Sequence, residues 1–191
     1  MISRESLLSL ETYSRERNAF RAKVIEHKKR RTVHLGEHLT LQFEDELTIR
    51  YQVQEMLRIE RIFEEEGIQH ELDTYNPLVP DGSNWKATLL IEYPELEERR
   101  QMLARLKGIE RQLWVQVQGS GRVFAIADED LERETEEKTS SVHFLRFELD
   151  RAARERLRHG AAVSVGVDHP DYRASTELGS AVRDALAADL A

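Results

Sequence analysis

Residues 45–66 read DELTIRYQVQEMLRIERIFEEE, and the apolar pattern of this stretch decides how the rest of the chain is arranged. At about 100° per residue, Ile49, Val53, Met56, Leu57, Ile59 and Phe63 fall on one broad arc of a single long helix, with Leu47, Tyr51 and Ile62 nearly opposite. A helix apolar on two sides needs cover on both, so this one is expected at the centre of the fold. Within the arc, Glu60 projects between Val53, Met56 and Phe63, and Gln52 sits between Met56, Ile59 and Phe63. A buried, ionised carboxylate without a partner is costly; Glu60 therefore calls for an arginine, a shared proton or a metal beside it.

Upstream, Ser3 is placed to cap a short turn bearing Leu7, Leu8 and Leu10, and a helix is expected from about Thr12 to Lys29. The run His27-Lys28-Lys29-Arg30-Arg31 closes it as a solvated end, positive charge suiting the carbonyl terminus of the helix dipole. Thr32 to Phe43 reads as a hairpin around Gly36-Glu37. Downstream, Gly67 is expected to stop the long helix, and a shorter helical segment, IQHELDTY, leads into the proline-rich surface loop 76–84.

The strand WKATLLIEY, a helix opened by Pro94 and ended by Gly108, and a second hairpin, QLWVQVQ and RVFAIA around Gly119-Ser120-Gly121, come next. DEDLERETEE, with seven acids and one base, reads as a mobile solvated loop. Strand SVHFLRFEL, a helix capped by Asp150 and closed by Gly160, strand AAVSVGV, the loop DHPDYRA and a last helix from about Ser175 complete the chain. Tight hairpins joining several strands favour an antiparallel sheet over a doubly wound parallel one. The expected class is α+β: a mainly antiparallel sheet of about seven strands packed with a long central helix and several shorter ones. Residues 1–191 are expected to form a single domain, with a basic helical arm over 1–30, the surface loop 76–84 and an acidic loop 128–140.

Composition narrows the function classes. The chain has no cysteine, which excludes disulfides, thiolate metal sites, an iron–sulfur cluster of its own and a cysteine nucleophile. Its net charge of −8 is uneven: residues 1–36 carry nine Lys or Arg against four acids, a net +5, leaving −13 for the rest. Nucleic-acid binding by the whole chain is disfavoured, and a soluble, cytoplasmic protein is expected, since no apolar run approaches the roughly 18 residues of a membrane span.

Oxygen and imidazole donors are the only metal ligands available. Glu60 and Glu64 lie four apart on one helix face, His70 follows the Gly67 break, and His169 sits in Asp168-His169-Pro170 just past a buried-looking strand. Glu60, Glu64, His70 and His169 are thus the candidate metal ligands, with pairing of Glu60 to an arginine as the alternative. His143, among Leu145, Phe147 and Leu149 on its own side of a strand, reads as a core histidine with one satisfied nitrogen. Neither His-Glu-x-x-His nor a nucleophile elbow occurs, and Gly119-Ser120-Gly121 joins strands and opens no helix, so it is a turn and not a phosphate loop. No motif names a reaction.

The strings HLTLQFED, RYQVQEMLRIERI, HELDTYNPLVP, LLIEYP, VHFLRFEL and VGVDHPDY together resemble an uncharacterised bacterial family, domain of unknown function family 3501, over nearly the whole chain. The resemblance implies a non-catalytic accessory role in redox or oxidative-stress metabolism, with rubrerythrin-like or iron–sulfur proteins as partners. It points to Gln52, Glu55, Arg58, Glu60, His70, Tyr75, Asn76 and His169 as positions of interest. Any electron-carrying cluster would then belong to a partner, and a homo-oligomer is compatible with this reading. The alternative is a carboxylate/histidine protein binding iron or manganese, as an oxidoreductase.

Overall fold

A computed structural model describes all residues, 1–191, and the chain divides into two compact units, Met1–Arg30 with Glu44–Pro80, and Arg31–Phe43 with Asp81–Ala191. The α+β class holds: six α-helices accompany nine strands in two antiparallel sheets, against the roughly seven strands expected. No helix is long and apolar enough to cross a membrane.

The first unit is helical. Helix α1 (Leu10–Lys28) is capped by the Ser9 side chain, which accepts from the Thr12 amide; Ser3 stands at the start of a short 3-10 turn, Arg4–Ser6, as expected, but its side chain makes no capping hydrogen bond. Helix α2 (Glu46–Ile59) opens with a reciprocal capping box between Asp45 and Thr48. Ile49, Val53 and Leu57 of α2 are buried with Ile68 and Leu72 of helix α3 (Glu65–Tyr75) and with Ile2 and Leu7. Two amide side chains hold the N-terminal segment by its backbone. Buried Gln54 accepts from Leu8 N at 2.7 Å, and Asn76 accepts from Ile2 N and donates to Ile2 O. Tyr13 and Phe20 meet edge to face, and Phe20 stacks on Tyr51.

The stretch 45–66 is therefore two helices and not one. Leu57 O accepts from Ile62 N at 3.0 Å, Arg58 O accepts from Arg61 N, and Arg61 takes φ 52°. This is the paired hydrogen-bond closure normally built on glycine, with Ile62 packing back onto the cluster that holds Leu57. Because α2 ends before Glu60, the expected arc does not continue: Ile59 and Phe63 are 61% and 68% exposed, and Glu60 is exposed at the helix end. Gly67, expected as the stop, lies inside α3. The buried polar residue of α2 is Gln54, 1% exposed, whereas Gln52 is only half-buried.

In the second unit β1 (Thr32–Leu35) and β2 (Leu39–Glu44) form the first hairpin, and the larger sheet continues through β3 (Asn84–Ile91), β7 (Val142–Glu148) and β6 (Ile126–Ala127). The smaller sheet runs β5 (Arg122–Phe124), β4 (Leu113–Val117), β8 (Val163–His169), β9 (Tyr172–Glu177). Helices α4 (Leu96–Arg105), α5 (Arg151–Arg158) and α6 (Ser180–Ala187) complete it, with Asp150 capping α5 through the Ala153 amide. Trp85, Leu89, Leu145, Phe147, Val115 and Val165 belong to one continuous core. Gly166 is obligatory in β8, since a Cβ there would stand 2.2 Å from the Trp114 ring.

The run RVFAIA, expected as one strand, changes sheets at buried Ala125: Phe124 pairs with Trp114, and Ala127 pairs with Leu145. DHPDYRA is no loop. His169 pairs with Tyr172 across Pro170-Asp171, and Ser175, expected to open the last helix, lies in β9. Finally, Arg31 is not solvated; 2% exposed, it donates to Phe43 O at 3.0 Å and pairs with Asp189 near the C-terminus.

The left-handed position of Arg61 carries a test. A non-glycine residue there costs about 1–2 kcal/mol, partly offset by glycine's greater loss of chain entropy. Arg61→Gly should raise stability in denaturant melts by about 0.5–1 kcal/mol; a loss of stability would contradict the helix end described.

Candidate functional site

The site is assembled by the chain's passage from one sheet to the other. Asp128 follows β6 directly at φ 52°, a left-handed conformation that Asp tolerates better than most residues. In this conformation its amide donates to Phe144 O at 2.8 Å and its Oδ1 accepts from Phe144 N at 3.1 Å, extending the β6–β7 ladder by a side chain. Its Oδ2 lies 2.6 Å from Nδ1 of His143, which is fully buried. Glu110, on a short turn after Gly108 (φ 79°), brings a second carboxylate, and donor atoms of Glu110, Asp128 and His143 all lie within 4.8 Å of one another.

The hydrogen bonds define what this cluster can do. Nε2 of His143 faces the Ser140 carbonyl at 3.0 Å and Thr139 Oγ1 at 2.9 Å. A carbonyl only accepts, so Nε2 carries hydrogen and both ring nitrogens are engaged, where one was expected. Nδ1 and the Asp128 carboxylate, 2.6 Å apart, then share a proton. Thr139, His143 and Asp128 have the spacing of a nucleophile–base–acid triad, but Nε2 is held by the Ser140 carbonyl and Thr139 is 1% exposed, so the hydroxyl meets neither a free base nor a substrate. Glu110 is also 1% exposed; Arg111 lies 3.3 Å from its Oε1, and its Oε2 is buried with no hydrogen-bond partner.

Glu110 and Asp128 line a cleft of about 360 Å³ walled by residues 128–134 of the acidic run. This loop is tied down. Arg133 bonds Asp130 at 2.6 Å and 2.8 Å, reaches Asp128 at 3.2 Å and lies over the Phe144 ring, and Glu134 accepts from Gly108 N at 2.7 Å. The Arg133 hydrogen bonds hold the Asp130 carboxyl below its usual range, and those of Arg146 do the same for Glu129. Carboxylates outnumber guanidinium groups along the cleft, so its field favours a cation.

The ligands expected from the sequence lie elsewhere. Glu60, Glu64 and His70 are exposed in the first unit and do not belong to this cluster. His169 is buried with both nitrogens engaged, Nε2 by Lys107 O at 2.9 Å and Nδ1 by the Asp171 amide. Asn76 clamps Ile2, as described, and Tyr75 packs on the helical core. Glu55 is the most organised of the positions the resemblance pointed to: Arg17, Arg58 and Tyr51 all donate to its carboxylate. Glu110 and Asp128 gave no sequence signal, one being a lone acid in an irregular turn and the other the first of seven acids.

Fold and site together define an α+β protein with a buried histidine–carboxylate cluster beside an acidic cleft. The chain belongs to the family described as "Protein of unknown function (DUF3501)", which matches residues 1–190. Comparison with curated proteins returns no match. A crystal structure of a novel protein of unknown function from Burkholderia pseudomallei is similar at 56% identity and a TM-score of 0.95, over 100% of this chain and 99% of that one.

Glu55 supplies a pH test. Burial pushes its carboxyl up, but hydrogen bonds from Arg17, Arg58 and Tyr51 outweigh this and bring it from 4.5 to about 2. Its stabilisation is therefore complete above about pH 4.5 and is lost as pH falls through about 2. Glu55→Gln should cost roughly 2–3 kcal/mol at pH 7 and progressively less toward pH 2 in denaturant melts; a penalty independent of pH would contradict the network.

Proposed function

We propose that this protein binds a divalent cation at Glu110, Asp128 and His143, of the manganese(II) or iron(II) kind. The observation that carries the reading is Glu110 Oε2, a buried oxygen without a hydrogen-bond partner inside a group of three donor residues. Arg111 meets one oxygen of this carboxylate, but a second buried oxygen left without a partner is still costly, and a cation would satisfy it. One imidazole and two carboxylates, with no thiolate in the chain, suit manganese(II) and iron(II), with zinc(II) as a competitor.

The ion would replace the proton between His143 and Asp128, while the Nε2–H bond to Ser140 O holds the ring as a carbonyl commonly holds a metal-bound histidine. Ligand atoms around such an ion stand about 3 Å apart, so the 2.6 Å contact must open slightly on loading. Loading releases a proton, and affinity therefore rises with pH. Glu60, Glu64, His70 and His169 stay outside this proposal.

The family resemblance adds a setting, an accessory role in redox or oxidative-stress metabolism beside rubrerythrin-like or iron–sulfur proteins. A site for manganese or iron is chemistry that fits it. Affinity capture from the native host should recover such a partner, and reproducible recovery of none would count against the setting while leaving the cation site standing.

The cation site is tested by thermal and denaturant melts with manganese(II), iron(II) or zinc(II) against chelator. Metal at about 100 times its dissociation constant should stabilise the wild type by about 2.7 kcal/mol. Glu110→Gln gives up the contact with the exposed Arg111 but also removes a desolvated charge, so it should melt within about 1 kcal/mol of wild type in chelator, and it should gain nothing from metal. Equal metal stabilisation of both proteins would overturn the assignment.

A further inference from the structure

β9 is the outer strand of the smaller sheet. Val163 O accepts from Leu178 N at 2.8 Å, and the register places Val165 opposite Thr176 and Val167 opposite Ala174. In an antiparallel ladder, hydrogen-bonded pairs alternate, so Tyr172, Ala174 and Thr176 turn their backbone groups toward β8. Asp168 N donates to Gln112 O, and Gln118 N to Ala162 O, which assigns the even-numbered residues of β8 to β4 and fixes the same alternation from the other side. The amides of Arg173, Ser175 and Glu177 therefore point away from the sheet, and none donates a hydrogen bond within the chain.

The same three side chains are exposed and share one face of the strand. Both charged side chains are exposed and neither is engaged in an ion pair within the chain, and they stand symmetrically about Ser175. Free sheet edges are commonly protected by proline, bulges or charges that repel a second strand. Here the charges are opposite in sign and self-complementary.

We propose that β9 pairs antiparallel with β9 of a second copy of this chain about a two-fold axis at Ser175, making the smaller sheet continuous across both. Arg173 then faces Glu177 of the second copy, Ser175 faces Ser175, and Glu177 faces Arg173; each pair joins backbone groups left free by the sheet. Slipping one copy by one residue opposes outward groups to inward ones. Centring the axis on Ala174 sets Asp171 against Glu177; on Arg173, arginine against arginine; on Glu177, glutamate against glutamate; on Thr176, Arg173 loses its acid and faces Gly179. Only the Ser175 register satisfies backbone and charge together, and a two-fold contact of one patch with itself is the usual form of a homodimer. At the start of the strand the Tyr172 hydroxyl holds it, accepting from His38 N at 3.1 Å and donating to Leu35 O.

Sedimentation velocity across a dilution series tests this on the full chain, with circular dichroism confirming that each variant is folded. Wild type should be a dimer. Arg173→Glu should weaken it about tenfold or more, Arg173→Glu combined with Glu177→Arg should restore it, and Ser175→Pro should break it by removing the central amide. A wild type monomeric throughout, a dimer indifferent to Arg173→Glu or Ser175→Pro, or a double variant that fails to recover overturns the proposal.

Discussion

Asp128 is the residue on which strand pairing and site chemistry both depend. One carboxylate oxygen completes the β6–β7 ladder through the Phe144 amide, and the other meets the buried ring of His143. The chain has just changed sheets at Ala125, and the left-handed turn at Asp128 directs it into the acidic run. Arg133 returns from that run to the same carboxylate, so the cleft wall, the sheet and the histidine are fixed by one side chain.

Such an arrangement is costly in a core. His143 is fully buried and Glu110 nearly so, at positions where an apolar side chain would pack without desolvating a charge. A proton between His143 and Asp128 offsets one charge, Arg111 meets one oxygen of Glu110, and the other Glu110 oxygen is left without a partner. The Glu55 centre is different in kind. Its carboxylate meets three donors, and the group lies well below the ordinary carboxylate range because it is satisfied. A buried polar atom left without a partner calls for one; by that measure Glu110 stands out and Glu55 is a structural tie.

Local signals were legible in the sequence where geometry depends on nearby residues. The hairpin at Gly36 and the turn at Gly119, the Asp150 cap and the antiparallel α+β class all follow from turn and cap chemistry read a few residues at a time. The end of α2 escaped because Arg61 occupies a position that glycine usually announces. With no glycine there, the apolar spacing runs on past Ile59, which sets Glu60 on a buried arc it never reaches and favours Gln52 over Gln54 as the buried amide. β9 escaped because the spacing of Leu178, Val182, Leu186 and Leu190 resembles a helical stripe, although Leu178 precedes the helix and packs in the sheet core. Of the site, only His143 carried a signal, an imidazole on the apolar face of a strand. Its carboxylate partners come from an irregular turn and a loop far away in sequence, and no local pattern encodes that meeting.

The central claim is that Glu110, Asp128 and His143 bind one divalent cation. Anomalous diffraction from crystals grown with manganese(II), recorded on both sides of the manganese absorption edge, tests it most directly. A single strong edge-dependent peak is expected among Glu110, Asp128 and His143, with the His143–Asp128 contact opened around it. An edge-dependent peak elsewhere in the chain, or none at this cluster in manganese-saturated crystals, would contradict it.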